Sequence, residues 1–178
     1  MNLLVLIGST RTGSHNARLA AAATSALPAG VQVEYADIFS LPFYSEEADA
    51  AGELGHAVER YRAAVARADA VLIVSPAYNG TMPGAVKNAV DTVSRPRGEA
   101  AIAGKPVAVI SAPFNPLAGQ NVVDHLTLAL RIAGASPLER GLVVPFVDAF
   151  TETGLADPDL GRQLQELVTE LVAPVPVG

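Results

Sequence analysis

Cysteine is absent from the 178 residues, which removes disulfides, thiol redox chemistry and iron–sulfur ligation together. Any redox role therefore needs a bound organic cofactor. Basic residues are also scarce: 12 Lys plus Arg stand against 18 Asp plus Glu, a formal charge of -6. Neither a broad nucleic-acid surface nor adhesion to an anionic membrane is expected from that balance, although a small anion could still be held locally. Long apolar runs are missing as well. Only about five apolar residues precede Gly8, too few for the core of a signal peptide, and no later run approaches a membrane span, so a cytoplasmic protein is expected. His56 and His125 lie on expected helices, far apart and without a carboxylate pair at ligand spacing, so no metal site is expected.

Half of the residues are hydrophobic, which argues against disorder, and the length suits one domain over residues 1–178 with its own core. Leu3 to Ile7 is an unbroken apolar run, as in a strand covered on both faces, and residues 16–27 then read as a helix closed by Pro28 and Gly30. Residues 31–38 alternate Val31, Val33 and Tyr35 with Gln32 and Glu34, predicting a less buried strand near an edge. After a long loop with Phe43 and Tyr44, the stripe Leu54, Val58, Tyr61, Val65 and Ala68 predicts a helix. Strands follow at 70–75 and 106–111, separated by a helix carrying Val86, Ala89, Val90 and Val93. A helix from about Asn121 to Ala133, a fifth strand near 141–147, and a last helix begun by Asp157 and Pro158 complete the pattern.

Five strands alternating with five helices predict an α/β fold with a parallel sheet covered on both faces. In so short a chain the natural arrangement is flavodoxin-like, a doubly wound five-stranded sheet of order 2-1-3-4-5, whose switch point lies between strands 1 and 3. Two unusual loops leave those two strands, so they face each other across the crevice where such folds bind ligands.

The first loop, GSTRTGSHN from Gly8 to Asn16, combines a sharp turn at Gly8 with the hydroxyls of Ser9, Thr10 and Ser14 and with a helix start whose N–H groups are unpaired. That is the chemistry of a phosphate cradle, and Arg11 adds a cation able to pair with phosphate oxygens. Taken by itself the loop also fits a Gly/Ser turn with a helix cap. Gly8 and Gly13 have P-loop spacing, but Ser14 stands where that motif needs Lys. Thr10 breaks the dinucleotide fingerprint at its second glycine. A monophosphate suits the loop best. The second loop, SPAYNGTMPG, is stiffened by Pro76 and Pro83 and could present backbone groups to a planar heterocycle beside Tyr78 and Asn79, or could be simple punctuation. Phe114, Phe43 and Tyr44 sit at strand ends, free to line a flat pocket or to plug the core.

GSTRTGSHNARLA resembles the phosphate loop of the NADPH-dependent FMN reductase family, and SPAYNGTMPGAVKNAVDTVSR resembles its P-E-Y-N-x-x-x-P-G-x-x-K-N-x-x-D segment. The two motifs agree in order, spacing and context. The resemblance implies that Ser9, Arg11, Ser14 and Asn16 hold the FMN phosphate, and that Pro76, Ala77, Tyr78, Asn79 and Gly80 meet the isoalloxazine ring. Ser111 and the loop after it, with Phe114, form the third edge. His15, inside the phosphate loop, could add charge, but its position predicts a solvent-facing side chain. Two departures stand out. Ala77 replaces the family glutamate, and Ala118, Gly119, Gln120 and Asn121 occupy a segment that often reads G-G-x-R. Lys87, Asn88 and Asp91 fall on the polar side of their helix, where Lys87 and Asp91 have the spacing of a surface ion pair and a structural or subunit-contact role is expected.

The implied activity is a two-substrate oxidoreduction: hydride passes from NADPH or NADH to FMN, and electrons pass on to a small acceptor such as a quinone, free flavin, an azo compound or an oxidised metal ion. The protein supplies binding and orientation, so no catalytic side chain is expected. The family also implies a homodimer or homotetramer. Two alternatives stay open on the sequence, a flavodoxin-type electron carrier, against which Arg11 speaks, and a non-catalytic FMN-binding module, which Ala77 leaves standing.

Overall fold

The structure is a computed structural model that describes residues 1–146, 149–151 and 154–173. Strand β1 (Asn2–Ile7) lies in the middle of a parallel sheet, flanked by β2 (Gln32–Ala36) on one side and β3 (Ala70–Val74) on the other. Strand β4 (Pro106–Ser111) follows β3, and two short pieces, β5 (Ser136–Pro137) and β6 (Leu142–Val143), both pair with β4. The path is β2-β1-β3-β4-β5, the expected flavodoxin-like order.

Alternation along the central strands builds two cores. Leu4, Leu6, Val71, Ile73, Val107 and Val109 face one side, where they meet α3 (Gly55–Arg67), α4 (Gly84–Val93) and α5 (Pro116–Ile132). Leu3, Val5, Leu72, Val74, Ala108 and Ile110 face the other, against α1 (His15–Ser25) and α6 (Pro158–Leu171). A strand buried on both faces must be apolar at every position, which is why β3 reads AVLIV with all five residues buried. β2 is the edge strand, as expected, and its apolar residues Val33 and Tyr35 are themselves exposed.

Three boundaries differ from expectation. α5 starts at Pro116, about five residues early, because the Asn115 side chain accepts a hydrogen bond from the Leu117 N–H and Pro116 fits the first helical turn. The fifth strand, expected at 141–147, is the interrupted pair β5 and β6, and Val147 falls outside the described residues. Pro106 faces Ser136 while Ile110 faces Leu142, so four steps along β4 correspond to six on its partner. The surplus carries Glu139, paired with Arg131, and Arg140, which reaches Glu166 and Glu170 of α6. The long loop after β2 contains a short helix, α2 (Glu46–Ala50), capped by Ser45 and headed by Glu46, Glu47 and Asp49.

Arg62 of α3 binds both oxygens of Asp49 at 2.7 Å and donates to the Thr92 carbonyl at 3.0 Å, fixing that insertion against α3 and α4. The Arg62 hydrogen bonds hold the Asp49 carboxyl below its ordinary value.

Candidate functional site

Because the sheet is parallel, the loops after β1, β3 and β4 all emerge at its carboxyl edge. The first two meet at the switch point. The Gly8 N–H donates to the Val74 carbonyl at 2.8 Å, continuing the ladder into the loop. A Cβ at Gly8 would lie 2.5 Å from Val86 Cγ2 and 3.1 Å from Pro76 Cδ, so glycine is what lets the two loops touch. Gly13 takes a φ of 67°, and Ser14, almost wholly buried, caps α1 by accepting from the Ala17 N–H at 3.0 Å. The N–H groups of residues 9–13, His15 and Asn16 have no acceptor among the described residues. A row of unpaired donors at a helix N-terminus is an anion site in waiting.

The second loop holds a tight turn. Asn79 (φ 51°) and Gly80 (φ 82°) are both left-handed, and Tyr78 and Thr81 exchange backbone hydrogen bonds at 2.8 and 3.2 Å. Asn-Gly is the favoured pair for a turn with two positive φ angles. The Thr81 hydroxyl meets His125 Nδ1 at 2.8 Å, anchoring the turn to α5. Tyr78, at the base of the turn, lines the cleft.

Ser9, Arg11, Ser14, His15, Asn16, Pro76, Ala77, Tyr78 and Phe114, all expected at a ligand site, line one cleft, joined by Ala112, Pro113 and Phe146. Arg11 is exposed and makes no ion pair among the described residues. Asn79, Gly80 and Ser111 fall outside the cleft lining: the first two form the corner of the turn, and the Ser111 hydroxyl is fully buried, donating to the Ser75 carbonyl at 2.7 Å. Phe43 and Tyr44 also lie elsewhere, on the loop after β2. Asn88 does not face solvent as its helix position suggested. It is 8% exposed, accepting from the Tyr44 N–H at 2.8 Å and donating to the Pro42 carbonyl at 2.9 Å. Lys87 and Asp91 form an exposed ion pair at 2.7 Å, of a kind that contributes at most about 1 kcal/mol.

Phe146 was not anticipated. It follows β6 and donates its N–H to the Pro113 carbonyl at 3.3 Å, and an aromatic residue near the carboxyl end of the expected fifth strand was the available signal. His15 corrects the expectation of a solvent-facing ring: it stacks on Phe146 with centroids 4.3 Å apart and planes 2° from parallel. Its Nδ1 is buried without a hydrogen-bond partner. Burial, then the charges of Arg11 and Arg18, hold His15 below its ordinary value of 6.5.

The sign of that shift gives a testable outcome. Between the folded value and 6.5 the unfolded chain carries a proton that the folded chain lacks, so stability rises with pH through this window and is lost as pH falls through it. Melting of the ligand-free protein should drop on acidification below pH 6.5, and His15→Phe should remove that component. An identical pH profile in the variant would show that His15 does not carry it.

A doubly wound sheet with donor-rich and aromatic walls meeting at its switch point defines a flavodoxin-like domain built for an anion joined to a flat ring. Residues 1–148 match the sequence pattern of the NADPH-dependent FMN reductase family, and the chain belongs to that family. It is similar to an NAD(P)H-dependent FMN reductase of Pseudomonas aeruginosa, 34% identical over 166 residues that cover 92% of this chain and 89% of that one. It is also similar to a quinone reductase of Pseudomonas putida, 37% identical over 118 residues, covering 66% of this chain and 63% of the relative. Among solved structures, the flavoenzyme NAD(P)H:(acceptor) oxidoreductase of Paracoccus denitrificans superposes with a TM-score of 0.83 at 26% identity, over 94% of this chain and 92% of that one. The chain is an oxidoreductase that uses FMN, with NAD(P)H as co-substrate.

Proposed function

We propose that the protein reduces small quinone-type acceptors with NAD(P)H, using FMN held in the cleft between the loops after β1, β3 and β4. The observation that carries this reading is the meeting of two kinds of wall in one cleft. Unpaired loop N–H groups and the free Arg11 stand at one end, and Pro76, Tyr78, Phe114 and Phe146 supply apolar and aromatic surface. The donor set fits a phosphate, and the aromatic set fits a ring system.

When bound, FMN supplies the hydride chemistry. Arg11, the Ser9 and Ser14 hydroxyls and the free N–H groups bind the phosphate and fix its position. Pro76, Ala77, Tyr78, Phe114 and Phe146 would supply apolar and aromatic surface along the ring. No cleft side chain is required to move a proton.

After FMN addition and removal of unbound flavin by gel filtration, the protein should retain flavin absorbance bands, and it should oxidise NADPH rapidly when a quinone is supplied. FMN binding without such turnover would instead support an electron carrier or a binding module. Reductant and acceptor that use one flavin face cannot be bound together, so double-reciprocal plots should be parallel. Intersecting lines would require a separate acceptor site.

The reading includes a homodimer or homotetramer in the cytoplasm. α5 turns Leu128 (59% exposed) and Ile132 (79% exposed) outward beside a groove of about 410 Å³ lined by Met82, Val90 and Ala129. Lys87, Asp91 and Arg95 border this groove and offer charges of both signs to a second copy. Wild type should sediment above monomer mass at micromolar concentration, and Leu128→Asp with Ile132→Asp should return it to monomer. A monomeric wild type with full activity would refute the assembly.

A further inference from the structure

Asn16 and Ser111 stand in the motifs that surround the cleft, yet their side chains are committed to the protein's own backbone. Asn16 is 4% exposed. Its Nδ2 donates to the Ala112 carbonyl at 3.2 Å, and its Oδ1 accepts from the Ala112 N–H at 3.0 Å, across 96 residues of chain. Ser111, the residue before, is fully buried and donates to the Ser75 carbonyl at 2.7 Å. Ser75 is also fully buried, and its hydroxyl donates to the Pro76 carbonyl at 3.1 Å.

These bonds join the three loops in sequence. The loop after β1 is tied to the loop after β4 through Asn16 and Ala112. The end of β4 is tied to the loop after β3 through Ser111 and Ser75, which leads into Pro76 and the wall containing Tyr78. Two facts make the connection mechanical. Each linking side chain is buried, so a broken bond leaves a polar group without water to replace its partner. Each target is a backbone group, so the bond fixes where the main chain of the wall runs and not merely where one rotamer points.

We propose that Asn16 and Ser111 are positioning residues that lock the phosphate end of the cleft to the ring end, rather than ligand contacts. The proposal rests on the reading of the cleft as an FMN site. A residue of the phosphate loop then governs affinity for a flavin that has no phosphate, because loss of the Asn16–Ala112 bonds lets the wall carrying Pro113 and Phe114 shift away from the ring position. A rigid, preassembled cleft keeps the ordering cost out of ligand binding.

The test measures FMN and riboflavin affinity by fluorescence quenching in the wild type, Asn16→Ala and Ser111→Ala, at a temperature where circular dichroism shows each ligand-free variant folded. Asn16→Ala should weaken both flavins by similar factors, roughly tenfold, leaving the FMN-to-riboflavin ratio unchanged. Ser111→Ala, which alters less, should do the same to a smaller extent and provides the reading if Asn16→Ala does not fold. The double variant should lose less than the combined single losses, since both residues act on one connection. Loss of FMN affinity alone would make Asn16 a phosphate contact and overturn the proposal. Unchanged affinity in a folded variant with lowered melting temperature would also overturn it, by showing a structural role only. A wild type that binds neither flavin would remove the FMN reading itself, a result separable from both.

Discussion

Replacing Arg11 with Ala should lower FMN affinity by about one to two powers of ten while leaving riboflavin affinity and ligand-free stability nearly unaltered. The size follows from charge-assisted hydrogen bonds, roughly 1.5 to 3 kcal/mol each, and exposure of the guanidinium places the effect toward the lower end because solvent screens it. Selectivity follows from the cleft's layout. Arg11 stands on the loop after β1, and its side chain has no hydrogen-bond or ion-pair partner among the described residues to lose when it is removed, whereas Tyr78, Phe114 and Phe146 are held by other segments. The wild-type preference for FMN over riboflavin should also shrink as salt is raised, and the variant should lose most of that dependence. Titration of both flavins at two ionic strengths checks each point. Equal losses for the two flavins would mean that Arg11 shapes the ring wall; no loss for either would mean that hydroxyls and N–H groups hold the phosphate alone.

Gly8→Val should act oppositely, damaging stability and both flavin affinities together. The added Cβ alone would sit 2.5 Å from Val86 Cγ2 and 3.1 Å from Pro76 Cδ, and the two further methyl groups need space where Val86 is fully buried. Overpacking of this kind costs about 1–3 kcal/mol, which in a chain of this size lowers the melting temperature by about 2–4 °C for each kcal/mol. Relief requires the loops after β1 and β3 to part, and these are the two walls of the switch-point cleft. Thermal melting and flavin titration on one preparation test both halves. A variant that melts like wild type and binds both flavins normally would show that the loops tolerate separation and that their close approach is incidental.

The loops were legible because their residues are special wherever they occur. Glycine at a strand end, hydroxyls before a helix and an arginine among them each restrict what the loop can do locally. The start of α5, expected at about Asn121 and found at Pro116, is equally local: Asn115 caps the helix and Pro116 fits its first turn. Asn79 and Gly80 likewise carry the signal of a tight turn. The two positive φ angles place them at the corner of that turn.

The amphipathic and apolar periodicities determined the alternation of strands and helices, and with it the parallel sheet, its order and the location of a ligand crevice. They could do so because period and burial are coupled: a strand covered on both faces has to be apolar throughout, and a helix on the sheet has to show one stripe. Only the tertiary structure decided where polar side chains spend their hydrogen bonds. Asn16 reaches Ala112, Ser111 reaches Ser75 and Asn88 reaches Pro42 and Tyr44, and His15 finds Phe146. A polar side chain next to a binding motif can face the ligand or brace the wall behind it. That choice depends on which backbone groups are left unpaired by segments tens of residues away, a quantity that no local pattern contains.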